Sequence, residues 1–254
     1  MKKVLILSYC LLATLPFFAQ NISNPAQGGT EGVITFEEKI NMHRRIQNEE
    51  MKARIPEFRS SNMEFFFRGD ECLYKPIEED EDENAGGGGG GMRMSFRRPN
   101  TEIYRNLATN KRVSQFEMGD KKYLIEADIA QTAWKLGSET KKVAGYECTQ
   151  ATLSDTARKQ EIVAWFTMDL PMAAGPQNYG SLPGMILELD INKGETVITA
   201  KKIEFKKVKD NNVKAPSKGE KITEEEMKKK REEMMKRFGG RQGGGGQGVQ
   251  IIRQ

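Results

Sequence analysis

The chain is constrained most by the stretch GPQNYGSLPGMILELD, Gly175 to Asp190, where three glycines and two prolines run straight into an alternating apolar segment. Proline presets φ at the second position of a turn, and glycine at the third supplies the positive φ of type II. Leu182-Pro183-Gly184-Met185 therefore predicts a tight type II turn. Beyond it, Met185, Leu187, Leu189 and Ile191 fall on one side of a period-two strand, and Ile186, Glu188 and Asp190 on the other, which predicts a partly buried strand. A loop this demanding is either an architectural corner or a ligand-facing surface, and the ordinary use of such loops favours the corner. As a binding surface it offers Gly175, Pro176, Tyr179, Leu182, Pro183 and Gly184. Tyr179 is the one large side chain available to pin it.

The string Ser181-Leu182-Pro183-Gly184-Met185-Ile186-Leu187-Glu188 resembles the signature of the GLPGLI family, secreted proteins mainly of Bacteroidota with no established biochemical activity. Ser181 stands in place of the first glycine and Met185 in place of a leucine; both leave the Pro-Gly turn intact. Gly145-Tyr146-Glu147-Cys148, Ala151, Ala164-Trp165-Phe166-Thr167, Leu170-Pro171 and Gly175-Pro176 follow the family's order, so the resemblance covers roughly Val143 to Asp190. It implies an exported protein and names no catalytic residue.

Export is also read from the residues themselves. Lys2 and Lys3 precede an apolar run from Val4 to Phe18, and Ala19-Gln20 is a small-residue cleavage point, the parts of a signal peptide over 1–19. The run is shorter than the roughly 20 residues of a spanning helix. Cys10 lies inside it, the wrong place for lipid attachment at the cleavage site. The expected location is the periplasm or the outer membrane, with no membrane span after cleavage. Removing Lys2 and Lys3 leaves 38 basic residues against 36 acidic ones, so the net charge falls from +4 to +2 and gives no case for nucleic acid. The remaining cysteines, Cys72 and Cys148, are an even pair in an oxidising compartment, which predicts a disulfide, with two buried thiols as the alternative.

After a disordered lead over 20–30, a β-rich domain is predicted over 31–209. Ile34, Phe36, Ile40 and Met42 alternate through Gly32 to Met42, with Glu38 as the single interruption. Arg44 to Arg54 has the composition of a short surface helix. Met63, Phe65 and Phe67, then Cys72 and Tyr74 after Gly69-Asp70, predict a hairpin. The acidic and glycine-rich run over 78–98 is a mobile loop. Asp80, Asp82 and Asn84 alternate as in a calcium loop, but Ala85 and Gly91 occupy the places of its glycine and closing glutamate. Short strands follow at Thr101 to Leu107, Arg112 to Met118, Lys121 to Ala127, Thr132 to Leu136, Val143 to Leu153 and Glu161 to Thr167. Gly119-Asp120 and Gly137-Ser138 serve as turns. Trp134, Trp165, Phe166 and Tyr146 are expected in the core. Thr196 to Val208 reads as the last strand, an edge protected by Lys201, Lys202, Lys206, Lys207 and Lys209.

A linker over 210–221 leads to a helix over 222–238. Thr223 to Glu226 forms a capping box, with Ile222 and Met227 as a staple. Its apolar strip, Met227, Met234, Met235 and Phe238, is narrow, suited to light docking on the sheet or to a partner. The tail over 239–254 is a glycine spacer ending in Val249-Gln250-Ile251-Ile252, in which Ile251 and Ile252 could add to a strand edge. The fold class expected is mainly β, a curved antiparallel meander or open half-barrel with one C-terminal amphipathic helix.

His43 is the only histidine, so histidine-built metal sites are excluded by count, and neither a metal nor a cofactor is expected. A Cys148 and His43 pair is the weakest catalytic option, and paired carboxylates at Glu188 and Asp190, as in a hydrolase, are third among the functions considered. The leading reading is a non-catalytic binding or carrier module for an apolar ligand. The alternative is an interaction protein that docks an envelope partner through the C-terminal helix and tail.

Overall fold

The computed structural model describes residues 29–46, 48–77, 100–156 and 158–240. The signal peptide, nearly all of the lead, the loop over 78–98 with its calcium-like spacing, and the tail with Ile251 and Ile252 lie outside the described residues. In chain order the elements are β1 (Glu31–Asn41), α1 (Glu49–Lys52), β2 (Phe58–Arg68), β3 (Glu71–Pro76), β4 (Thr101–Asn106), β5 (Lys111–Met118), β6 (Lys121–Asp128), β7 (Lys135–Val143), β8 (Tyr146–Asp155), β9 (Gln160–Thr167), β10 (Met185–Ile191), β11 (Thr196–Phe205), β12 (Glu220–Lys221) and α2 (Glu224–Gly240).

All twelve strands belong to one sheet, in the order β12-β6-β5-β4-β3-β2-β1-β11-β10-β9-β8-β7. It consists of two antiparallel meanders, β1 to β6 and β7 to β11, joined where β1 pairs with β11; the short β12 pairs parallel to β6. The fold is mainly β and the sheet is open, as expected.

Chain connectivity forces the sheet to curl. Ten strand spacings of about 4.8 Å would put β6 and β7 about 48 Å apart in a flat sheet. The link between them, residues 129–134, reaches at most about 25 Å at 3.5 Å per step. Three irregularities of register supply the bend. They lie at Lys201 on β11, at Leu187 on β10, and between Leu136 and Thr140 on β7. The curl brings Lys141 of β7 within 2.5 Å of the Glu188 carboxylate on β10.

The inner face carries one continuous core: Ile34 and Phe36 of β1, Phe65 of β2, Cys72 and Tyr74 of β3, Ile103 of β4, then Cys148, Ile162, Phe166, Met185, Leu187 and Leu189 from the second meander. On the outer face Val33 and Phe66 are covered by Val208 and Val213 of the segment after β11. That segment crosses to the far edge, where β12 pairs with β6. Helix α2 then returns to the inner face, where Met227 packs on Tyr123 and Ile125 with Phe116 and Ile222 beside them.

Several expectations are corrected. Instead of a helix over Arg44 to Arg54 there is a 3-10 turn at His43–Arg45 and the single turn α1. Gly137-Ser138 is not a turn: β7 runs through it, and the reversal falls at Ala144 and Gly145, both with positive φ. Gly137 lies within the irregularity of β7, beside the Gln150 side chain. Strand β11 is central, between β1 and β10, and its lysines are tied on the surface, Lys201 to Glu37 at 2.8 Å and Lys202 to Glu204 at 3.0 Å. Cys72 and Cys148 are free, buried thiols. The strands that carry them are separated by five others in the sheet, and their sulfurs pack into the core without joining.

Candidate functional site

The chain between β9 and β10, residues 168–184, folds onto the inner face and is fastened there along its length. Leu170, Ala174, Tyr179 and Leu182 are buried in the common core. Ala174 and Gly180 form an isolated bridge. Met185 N–H donates to Leu170 O at 2.9 Å and Ile186 N–H to Ala174 O at 2.9 Å. With Met185 N–H taken by Leu170, the expected type II turn does not close. Gly184 N–H bonds back to Leu182 O at 2.8 Å instead, a three-residue turn around Pro183.

The clamp on this loop comes from the first meander. Arg105 of β4 is 1% exposed. Its guanidinium donates to Tyr179 O at 2.7 Å and to Gly175 O, and lies 5.9 Å over the Phe65 ring. Trp134 closes the other side, donating from Nε1 to Gly180 O at 2.8 Å, with its ring 6.2 Å from that of Tyr179. The glycines are where backbone must approach backbone or core. A Cβ on Gly184 would lie 2.1 Å from Thr167 O, one on Gly175 2.6 Å from Ile186 Cβ.

Of the residues expected to face a ligand, Gly175, Pro176, Tyr179, Leu182 and Gly184 lie inside the protein and Pro183 is at the surface. The loop reaches a pocket through Gln177 and Asn178. This pocket, of about 190 Å³, opens at the ends of β1 to β5 and is walled by Met63, Tyr74, Pro76, Ile103 and Phe116, with Glu38 and Thr101 among its polar groups. Gln177 Nε2 is 3.4 Å from Glu38 Oε1, a long contact. Glu38 and Arg105 both sit at core-facing positions of their strands. Their sequence signal was a charged residue interrupting an apolar alternation, Glu38 after Ile34 and Phe36, and Arg105 between Ile103 and Leu107.

The other candidates have structural partners. Glu188 accepts from Lys141 at 2.5 Å and from Thr199 Oγ1 at 3.3 Å, and Asp190 Oδ1 accepts from Gly194 N–H at 2.5 Å in the β10 to β11 turn. His43 Nε2 contacts Ile55 O at 2.8 Å. Burial pushes the Cys148 thiol up to about 11 and raises that of Cys72, so both are held as thiols, the poorly nucleophilic form. Burial likewise raises the Tyr179 phenol. Met227 is buried and Met234 half-buried; the side chains of Met235 and Phe238 are outside the described residues. Among the described residues no group of three or more His, Cys, Asp or Glu side chains is placed to hold a metal, and no helix is long and apolar enough to cross a membrane.

Fold and site together define a curled, open β domain that clamps its own long loop over its inner face. Residues 92–227, more than half of the chain, match the family described as N-glycanase peptide, N-terminal domain, and the chain belongs to that family. Two solved structures share the fold. They are PNGF-II in the P21 space group (16% identity, TM-score 0.54, covering 79% of this chain and 33% of that one) and PNGF-II in the C2 space group. The latter likewise has 16% identity and TM-score 0.54, over 78% and 32%. The chain thus spans about a third of the length of these solved chains. No curated protein matches it.

Proposed function

We propose that the protein is a non-catalytic binding module that takes a compact ligand in the pocket beside Gln177 and Asn178. The observation that carries this is the pocket itself. The protein's own core, loop and helix occupy the inner face, and at its rim lies a space of about 190 Å³ with apolar walls at Met63, Tyr74, Pro76, Ile103 and Phe116 and polar groups at Glu38, Thr101, Gln177 and Asn178. For comparison, an apolar cavity of about 150 Å³ holds benzene. A volume of this order suits a compact apolar group and is small for a long acyl chain, so binding is favoured over acyl-chain carriage. Burial of Met227 favours the pocket over the alternative in which α2 offers its strip to an envelope partner. The proposed place of action is outside the inner membrane, supported by Lys2, Lys3 and the apolar run to Phe18, and by the resemblance to GLPGLI proteins.

The test is a nitrogen-15 NMR titration of the full chain with n-pentanol, a compact amphiphile, and with palmitate. The expected result is saturable shifts from pentanol at Thr101, Ile103, Gln177 and Asn178 that disappear in Ile103→Trp, which fills the pocket. Shifts scattered over the surface, or unchanged by Ile103→Trp, would contradict the proposal.

A further inference from the structure

The seam where helix α2 lies along β5 holds polar groups that the core does not use. Arg112, Ser114 and Phe116 stand in a row on the inner face of β5, in steps of about 7 Å, and Arg105 of β4 is the cross-strand neighbour of Arg112. Helix α2 touches both ends of the row: Glu224 pairs with Arg112, and the Arg231 guanidinium lies 5.2 Å over the Phe116 ring. Ser114 falls between them. It is 1% exposed and Arg112 8%, and neither the Ser114 hydroxyl nor Nε of Arg112 has a hydrogen-bond partner among the described residues. Both groups can donate, and a donor left unused inside a protein is costly. The charges are unbalanced in the same direction. Among the described residues Arg112 and Arg231 share a single carboxylate, that of Glu224, and the buried Arg105 beside them is bonded to carbonyls alone. Arg231 ionises below the usual arginine range, first through loss of water around its guanidinium and then through the charge of Arg158, which itself holds Asp155 at 3.7 Å. Cations gathered on a concave face draw anions to it.

We infer that the seam between α2 and β5 binds a small oxyanion, a carboxylate or a phosphate, on the Ser114 hydroxyl and the Arg112 and Arg231 guanidiniums. An oxyanion accepts charge-assisted bonds from all three, whereas a water molecule there would use the donors without answering the charge. The site adjoins the rim pocket through Phe116 and does not rest on that pocket being filled. The full chain is titrated by nitrogen-15 NMR at pH 7 and low ionic strength with acetate, inorganic phosphate and acetamide, which has the shape of acetate without its charge. A second series uses a variant with Glu78, Glu79, Asp80, Glu81, Asp82 and Glu83 changed to glutamine or asparagine, so that the acid run of the chain itself cannot stand in for the probe.

Acetate or phosphate is expected to bind about tenfold or more tightly than acetamide, moving the amides of Ser114 and Phe116 and the Nε–H signals of Arg112 and Arg231. Ser114→Ala removes a hydroxyl that no other group of the fold holds, so it should leave the protein folded and weaken the anion about fivefold. Arg231→Gln should weaken it by a similar factor; Ser114→Ala carries the test if α2 loosens in that variant. An anion that binds the native sequence and both variants equally, or that shifts only exposed lysines, would overturn the inference. So would acetamide matching both anions, or silence from all three probes, in both series. Each of these outcomes leaves the pentanol test of the rim pocket to be decided by its own result.

Discussion

A methyl group at Gly184 would sit 2.1 Å from the carbonyl oxygen of Thr167, which is backbone and cannot swing aside. Gly184→Ala should therefore cost roughly 2 kcal/mol or more of unfolding free energy, measured by urea denaturation. Gly145 is the control: its φ is +88° but nothing lies within 4 Å of an added Cβ. Gly145→Ala should cost only about 1 kcal/mol. Equal effects at the two sites would contradict a steric role for Gly184. The two thiols give a second test at this scale. Both should resist alkylation in the native protein and react without prior reduction once it is unfolded; a disulfide would leave none to react. Thiols ordinarily lose their proton near pH 9, and Cys148 in the fold is held to about 11. Below pH 9 both states keep the proton, so its stabilising contribution is whole. Between 9 and 11 the unfolded chain releases it first, so stability must fall as pH rises. The urea midpoint should drop more steeply across that window in the native sequence than in Cys148→Ala, and equal slopes would remove burial as the cause.

Helix α2 is held by its first turn. Thr223 N–H donates to Glu226 Oε2 at 2.7 Å and Glu226 N–H to Thr223 Oγ1 at 3.1 Å, so the capping box read from the sequence is formed. Arg112 of β5 pairs with Glu224, and Met227 is buried on Tyr123 and Ile125. Thr223→Ala should cost about 1 kcal/mol and Met227→Ala about 2 kcal/mol. The readout is hydrogen exchange: α2 should lose protection while β1 and β2 keep theirs. Such local rules were legible in the sequence, including the Gly69-Asp70 hairpin and most strand positions, because period, cap and turn residues act within a few residues. The strand through Gly137 was not, because a glycine in a strand irregularity and a glycine in a turn read alike until the neighbouring chain, here at Gln150, is known. The lysines of β11 misled for the same reason. Position within a sheet is set by which strands pair, and a row of lysines marks only a solvated face.

For the whole molecule, the mainly β class was legible from alternation alone, while the curl and the clamp came from contacts remote in sequence. Arg105 is about seventy residues from the carbonyls it holds, and its only sequence mark is a charge on an apolar face. A curled sheet that encloses its own loop needs that loop fixed, and a buried guanidinium bonded to two loop carbonyls is what fixes it. Arg105→Met should cost about 3 kcal/mol, because the carbonyls of Tyr179 and Gly175 lose their donor inside the protein. Gly175 tolerates no side chain beside Ile186, so the loop cannot settle more deeply to compensate. The most direct test of the clamped loop is native-state hydrogen exchange at the amides of Ala174, Ser181, Gly184, Met185 and Ile186. The expected result is protection approaching that of β10 in the native sequence, with selective loss over 174–184 in Arg105→Met. Amides of 174–184 that exchange as freely as an exposed loop in the native sequence would contradict the account.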